Sequence, residues 1–562
     1  MHPLEASAPD APAREGASDA VRDVLRNPSI RRIELAWTAG VAGDAGFVVA
    51  LVVAAFADAG ALAVGLLGVL RMAPSILVAP FAGMMGTRLP PGRLLLVAHV
   101  GRAVAAILTA AWLVADLPLP GAFLFATAGA TTGALVRPLH AAVMPTFART
   151  PRELVASNVA TSTGEGLGAF IGPLAAGAAL ALGGPVAATL VAAVLLAAGA
   201  LILFGLRASA DDLVEQAAQA GPAVGRESLR SGLTAGPSAL RRAPGAATVV
   251  LDFAGQVLVR GISTVLIVVA SIELLGLGEA GVGLLGAAYG LGGFVGAIAA
   301  VGLAGRRRLG PLFAVALSAW SLPLAVIGAF PVPAVAVASF IVSGVATAVL
   351  DVTGFTLLQR GVPTTARVSV FGLLEATAGI GISAGGLLAP LLLAGLGGRG
   401  ALAIAGAILP IMAIATWPRI RRADDEAIVP ERELALLRGI PLFARLPLTA
   451  LERLAGDLEP ASFAAGDVIM REGEAGDRYL VIANGEVEVT VGGQLLNRCG
   501  GGEGIGEIAL LHAVPRTATA IATRPTTGFY LRSAQFLAAI AGPTSAAAAH
   551  QVAAERLART AD

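Results

Sequence analysis

Lysine is absent: all 39 basic residues of this 562-residue chain are arginine. Arginine does not release its proton in proteins, so any proton carrier within the chain must be aspartate, glutamate or histidine. Cysteine occurs once, at Cys499, which excludes an internal disulfide, and no metal-ligand spacing surrounds it. Charge is also scarce. Charged residues make up 14% of the chain, against roughly 25% in soluble domains. The hydrophobic share is 56% and the mean hydropathy +0.79, so most of the chain reads as membrane-embedded. A net charge of +1 leaves no electrostatic footprint for nucleic acid. No nucleophile–base constellation, metal cluster or phosphate-binding P-loop occurs, so the sequence does not read as an enzyme. The stretch 1–26 mixes proline, alanine and charge without an apolar run. It reads as a disordered cytoplasmic tail and not as a signal peptide.

What is present begins with twelve apolar runs, each near the roughly 20 residues that span a bilayer. They cover 33–57, 61–85, 94–115, 121–144, 157–182, 185–206, 246–275, 280–304, 311–330, 332–358, 367–396 and 399–417. The alternate loops on one side carry Arg88 and Arg93, Arg149 and Arg152, Arg306 to Arg308, and Arg360 and Arg367. A long polar stretch on the same side holds Arg207, Arg226, Arg230, Arg241 and Arg242, and Arg419, Arg421 and Arg422 follow the last span. The opposite loops carry only Arg399. The positive-inside bias therefore predicts both termini in the cytoplasm and a multi-pass protein of the inner (plasma) membrane. An internal echo supports a duplication: "VGLLG" at 64–68 recurs at 282–286, and "PTFAR" at 145–149 recurs as "PTTAR" at 363–367. Both echoes share one offset, and six spans per half suit a parallel repeat.

"NPSIRRIELAWTAGVAGDAGF", "PFAGMMGTRLPPGRLLL" and "GAFIGPLAAG" resemble the exporter branch of the major facilitator superfamily, over about residues 27–418. The loop after the second span keeps Gly83, Arg88 and Arg93 of the family signature but has Met85 and two inserted prolines. The fifth span follows the antiporter-type pattern at Gly168, Gly172, Pro173 and Gly177, with Ala176 in place of a second glycine. The resemblance implies an all-α membrane bundle of twelve helices in two six-helix halves. The predicted boundaries are 27–206 and 246–418 for the halves, with a cytoplasmic linker over 207–245.

Ionisable residues inside the spans are functional candidates because a lone charge at mid-bilayer costs at least about 2.5–3.5 kcal/mol. Asp44 lies roughly 16 Å into the first span and Arg71 roughly 15 Å into the second from the other side, at 1.5 Å per residue. Equal depth predicts a pair. Arg102 and Glu165 sit about eight residues from the cytoplasmic side, at the same rise per residue. These four are the expected transport or proton-coupling residues. Asp252, Arg260, Asp351 and Glu375 occupy later spans, and His99 and His140 read as structural.

After Trp417 the composition changes. A charged connector over 419–437 leads to short alternating strands, with Gly466, Gly473, Gly476, Gly485 and Gly492 at the turns. A helix precedes them ("LTALERLAGDL") and helical sequence follows ("SAQFLAAI", then 545–560). Within the strands, "GIGEIALLHAVPRTATA" suits a cyclic phosphate. Gly506 permits close backbone approach, a helix beginning at Glu507 aims N–H groups at an anion, and Arg516 offers paired donors. Glu507 can accept from a sugar hydroxyl, and the bland alternative is a Glu507–Arg516 surface salt bridge.

This segment strongly resembles the cyclic nucleotide-binding domain, a β-roll or jelly roll with flanking helices, over 438–562 with its core at 438–540. The resemblance places the sugar-binding acid at Glu507 and the phosphate-binding base at Arg516. Backbone contacts fall at Gly506, Ile508 and Ala509, and Thr517 adds a hydroxyl. Ile505 stands where phenylalanine is common. The implied regulatory ligand is cAMP or cGMP, with cAMP favoured, and no other cofactor is expected. The expected function is therefore secondary transport, an exporter working by proton antiport and regulated from the cytoplasm. Its expected partners are the lipid bilayer, a small-molecule substrate and the nucleotide, with no nucleic acid. The alternative is a membrane-anchored cyclic-nucleotide sensor without transport. A gated channel fits poorly, because no filter-like segment occurs.

Overall fold

The computed structural model describes residues 27–85, 91–147, 151–204, 237–300, 308–362, 364–426, 431–443, 446, 448–512 and 514–540. The tail before Asn27, residues 205–236 of the linker region, Arg88, Arg149, Arg306, Arg307 and the helical reading of 545–560 lie outside them. The chain divides into two compact units, Met1–Ala427 and Ile428–Asp562.

The first unit is helical: α1 Pro28–Met85, α2 Pro91–Val114, α3 Leu119–Gly133, α4 Val136–Phe147, α5 Pro151–Phe204, α6 Pro244–Val269, α7 Gly278–Ala300, α8 Gly310–Ala329, α9 Pro333–Gly361 and α10 Thr364–Glu426. Proline opens α1, α2, α5, α6 and α9, where its missing N–H leaves no helical bond unmade. Ahead of α1 the Asn27 Oδ1 caps the first turn, accepting from the Ser29 and Ile30 amides at 3.1 and 3.4 Å. Three helices leave helical geometry once: α1 at Ala59–Gly60, α5 at Gly183–Gly184 and α10 at Gly397. Gly60, Gly184 and Gly397 have φ of 67°, 64° and 68°, a region that disfavours a Cβ. The run expected at 121–144 is two helices, α3 and α4, separated by a turn at Ala134–Leu135. Among the described residues, nine helices are long and apolar enough to cross a membrane.

Glycine sets how closely these helices approach. A Cβ on Gly172 of α5 would collide with the Ala42 carbonyl oxygen of α1, and one on Gly46 would lie 3.0 Å from the Gly172 carbonyl oxygen. Gly65 of α1 faces the Gly386 backbone of α10, and Gly283 of α7 faces Pro173 and Gly177 of α5. In lipid, where the hydrophobic effect gives helices no reason to associate, such close backbone packing is a main source of adhesion.

The second unit opens with helices α11 Glu431–Gly439 and α12 Leu448–Gly456. Its strands are β1 Glu459–Phe463, β2 Val468–Met470, β3 Arg478–Asn484, β4 Glu486–Val491, β5 Gln494–Gly500 and β6 Gly504–Ile505, then, after helix α13 Glu507–His512, β7 Thr519–Ala522 and β8 Thr526–Arg532. Helix α14 Ser533–Ile540 follows. Two antiparallel four-stranded sheets result, ordered β1-β8-β3-β6 and β2-β7-β4-β5. Strand β3 is buried on both faces, and its alternation sorts the core. Leu480 and Ile482 join Met470, Val487, Cys499 and Ile505 in one cluster. Tyr479 and Val481 face the other way, to Phe443, Leu510, Leu531 and Phe536 from the loop after α11, α13, β8 and α14. The Tyr479 and Phe536 rings lie 4.9 Å apart and Phe443 meets Tyr479 edge-on at 5.7 Å. Of the expected turn glycines, Gly466, Gly473, Gly485 and Gly492 have positive φ. Gly476 is instead a close approach, its Cβ position lying 2.7 Å from the Ala509 Cβ.

Gly172→Val should lower the thermal unfolding midpoint of the detergent-solubilised protein, a loss of about 1–3 kcal/mol from overpacking. Gly68→Val, with nothing within 4 Å of its Cβ position, is the matched control. Equal midpoints for the two variants would contradict the packing.

Candidate functional site

The recess in the second unit is assembled from three stretches of chain. The strands contribute Met470, Val489, Leu496, Asn497, Cys499 and Ala520. The β6–α13 turn contributes Ile505, Gly506, Glu507, Ile508 and Ala509, and the run into β7 contributes Arg516, Thr517 and Ala518. The space enclosed between them is about 90 Å³ and opens to solvent at its mouth. All six residues expected from the sequence at the ligand line this one recess: Gly506, Glu507, Ile508, Ala509, Arg516 and Thr517. Sequence reasoning missed the strand residues, which arrive from β2, β4, β5 and β7 and carry no local signature.

Arg516 is the centre of this geometry. Its residue is 7% exposed, and its guanidinium donates to two backbone carbonyls, Nη1 to Gly506 at 3.1 Å and Nη2 to Arg478 at 2.7 Å. The Asp477 Oδ1 is 3.9 Å from Nη2. Backbone bonds hold the residue in place, from the Arg516 N–H to the Glu474 carbonyl at 2.7 Å and from the Gly473 N–H to the Arg516 carbonyl at 2.8 Å. Burial pulls the guanidinium below its ordinary pKa, opposed by the fields of Asp477, Tyr530 and Glu507. Arginine keeps its charge even so, which leaves a desolvated cation in a recess with an open mouth. Gly506 makes the arrangement possible: its φ is +100°, and a Cβ there would lie 2.5 Å from Nη1. Glu507, 2% exposed, opens the six-residue helix α13.

In the helical unit, Asp44 forms its ion pair with Arg102 of α2, while Arg71, the partner that equal depth suggested, lies in the field of the same carboxylate. Depth fixes a residue's height but not the face of the helix it occupies. Arg102 is 5% exposed and also donates to the Gly40 carbonyl at 2.7 Å, one turn from Asp44. Arg71 lies over the Phe47 ring, 5.7 Å from its centroid. Glu165 pairs with Arg137 of α4, a partner the sequence reading did not name. His99 and His140 are both buried, and His99 Nδ1 is 3.0 Å from the Leu95 carbonyl. Glu34, 6% exposed on α1, was passed over because it lies at the edge of the first apolar run.

Residues 252–466 match the Major Facilitator Superfamily and residues 460–542 the cyclic nucleotide-binding domain. A cAMP-dependent protein kinase regulatory subunit of Debaryomyces hansenii is 35% identical over 85 residues, 15% of this chain and 19% of that protein. A cyclic nucleotide-gated potassium channel of Rhizobium etli is 35% identical over 109 residues, 19% of this chain and 29% of that protein. The chain therefore spans between a fifth and a third of the length of these curated relatives. The cAMP-bound regulatory domain of Toxoplasma gondii PKA is 25% identical, covering 20% of this chain and 44% of that one, with a TM-score of 0.19.

A double-mutant cycle tests the Asp44–Arg102 pair. Asp44→Asn strands the arginine, and Arg102→Gln strands the acid. The double variant should be more stable than the summed single losses predict, by about 0.5–3 kcal/mol in thermal unfolding. Additive losses would dissolve the pair. The same cycle with Arg71→Gln should be closer to additive.

Proposed function

We propose that this chain is a secondary active transporter that exports a small molecule by proton antiport, its cycle biased by cytoplasmic cAMP. The desolvated Arg516 carries the regulatory half of this reading. A cyclic phosphate fits the recess because it brings one negative charge to a buried guanidinium already oriented by two carbonyls. Glu507 takes the sugar hydroxyl, the amides from Gly506 to Ala509 take phosphate oxygens, and Thr517 adds its hydroxyl. The apolar wall formed by Met470, Val489, Leu496 and Ile505 suits the face of a purine. A cAMP-dependent kinase subunit and a cGMP-dependent kinase both stand among the relatives, and cAMP is the ligand to be tried first.

Twelve spans in two halves are supported by three observations. Nine helical runs of membrane length among the described residues, α3 with α4 counted as one run and three others broken once at a glycine, amount to twelve segments. Gly60 and Gly278, separated by the same offset as the two sequence echoes, both have positive φ. The packing is reciprocal as well. Gly65 in the second span approaches Gly386 in the eleventh, and its repeat counterpart Gly283 in the eighth approaches Gly177 in the fifth. The arginine-rich loops support both termini in the cytoplasm of an inner-membrane protein. Asp44, Arg71, Arg102 and Glu165 are the transport residues of this reading. The carboxylates of Asp44 and Glu165 are 44% and 42% exposed within their pairs, so water or substrate reaches them.

A nucleotide biases such a cycle only by binding one state of the bundle more tightly, typically by about 1–3 kcal/mol. Calorimetric titration of the full-length protein with cAMP should show binding. Arg516→Ala should weaken it by at least about 2 kcal/mol, the loss expected when one side of a buried charge pair is truncated, and Glu507→Ala should weaken it through the sugar. Undiminished affinity in both variants removes the site. Labelled cAMP that accumulates in proteoliposomes in proportion to protein would make the nucleotide a substrate and not a regulator.

A further inference from the structure

Two buried acids without a guanidinium partner among the described residues share one arrangement. Glu34 on α1 is 6% exposed and Asp252 on α6 is fully buried. Their separation in the chain equals the offset of the two sequence echoes and of the Gly60–Gly278 pair. Each packs on a threonine that is itself turned back on its own helix. The Thr161 Oγ1 lies 2.7 Å from Glu34 Oε1 and 2.9 Å from the Ser157 carbonyl. The Thr416 Oγ1 lies 3.2 Å from Asp252 Oδ2 and 2.8 Å from the Met412 carbonyl. In both cases the carbonyl is four residues before the threonine. In both cases the other carboxyl oxygen, Glu34 Oε2 or Asp252 Oδ1, is buried without a hydrogen-bond partner among the described residues.

A hydroxyl has one hydrogen, and here two acceptors compete for it. An ionised carboxylate must take that hydrogen and leave the helix carbonyl to its backbone partner, while its second oxygen stays unsatisfied and charged. A neutral carboxyl resolves the conflict, donating its own O–H to the threonine oxygen while the threonine donates to the carbonyl. Every hydrogen then has one acceptor, and no bare charge is buried.

The surroundings agree. Among the described residues His140 of α4 faces Glu34, His99 and Arg137 act on His140 in turn, and Arg102 acts on His99. Arg137 and Arg102 are committed to Glu165 and Asp44. His140 Nε2 is 3.9 Å from Glu34 Oε1, beyond hydrogen-bond reach, with its ring 4.5 Å from that of Trp37. Asp351 lies in the fields of Arg260 and Glu375 of its own half and of Glu165 and Arg137 of the other. Among the described residues, no basic group is within ion-pair distance of Asp252.

We propose that Glu34 and Asp252 are the proton-exchange sites of the bundle, one in each half, each held as a neutral acid by its threonine. When helix movement admits water, the carboxyl O–H bond breaks and the proton passes to that water. The carboxylate then takes the threonine hydrogen until the site closes and the proton is regained. The proposal rests on the two-half, proton-coupled reading above, and it moves the exchange from Asp44 and Glu165 to acids that no arginine among the described residues holds.

Infrared difference spectroscopy against pH, on the full-length protein in lipid nanodiscs without substrate or nucleotide, tests it. The carbonyl band of protonated carboxyl groups should lose one component in Glu34→Gln, another in Asp252→Asn and both in the double variant. Asp58→Asn, at an exposed site, should change nothing. If a variant does not elute as a folded protein, Glu34→Asp and Asp252→Glu replace it, and the matching component should shift in frequency. A band of unchanged intensity in the double variant, or unshifted in the conservative pair, overturns the proposal. If the components follow the variants but no pH gradient drives transport of any screened compound, the proton sites stand and the transporter reading falls.

Discussion

A charge taken out of water must be answered by another charge, by hydrogen bonds or by a proton, and both units are arranged around that requirement. Arg516 is the plainest case. An arginine cannot discharge, so the chain answers it with two carbonyls, a carboxylate at 3.9 Å and a glycine that leaves room for the guanidinium. The turn at Gly506, the clamp from Gly473 and Glu474 and the opening beside Glu507 all follow from keeping that cation desolvated yet reachable. On the proposed reading, a phosphate completes what the protein leaves partly answered.

The helical unit meets the same requirement in two ways. Where a carboxylate has a guanidinium within reach, as in Asp44–Arg102 and Glu165–Arg137, opposite charges pair. Where a threonine stands in place of a guanidinium among the described residues, as at Glu34 and Asp252, the proposed answer is the proton. The absence of lysine sharpens the division, because every basic partner in the bundle other than histidine is a permanent charge. The proposed proton traffic is thereby confined to acids and histidines, and among the acids it favours those without a guanidinium.

Much of this was legible in the sequence, for reasons that differ by element. The long helices announce themselves because about 20 apolar residues are needed to cross a bilayer, and the turns announce themselves by glycine. The nucleotide cassette is legible because Gly506, Glu507 and Arg516 lie within eleven residues of one another. Met470, Val489, Leu496 and Cys499 were not, since they reach the recess only through the pairing of β2, β4, β5 and β7. Depth along a helix can be counted from sequence, but rotation about it depends on packing. That is why Arg71 looked like the partner of Asp44 and Arg102 is. Glu34 escaped notice at the edge of an apolar run, and its likeness to Asp252 shows only when the offset of the repeat is joined to the threonine geometry. The split of 121–144 into α3 and α4 was equally invisible in a continuous apolar stretch.

The central claim is that nucleotide in the second unit changes the state of the first. Spin labels at Leu182→Cys and Leu396→Cys, exposed positions beside the breaks in α5 and α10, report the separation of the two halves without needing a substrate. Pulsed electron resonance on the full-length protein should show a distance distribution that shifts on adding cAMP. In an Arg516→Ala background, cAMP at the same concentration should leave it unmoved. Saturating cAMP that binds the unmutated site and leaves the distribution unchanged would contradict the account.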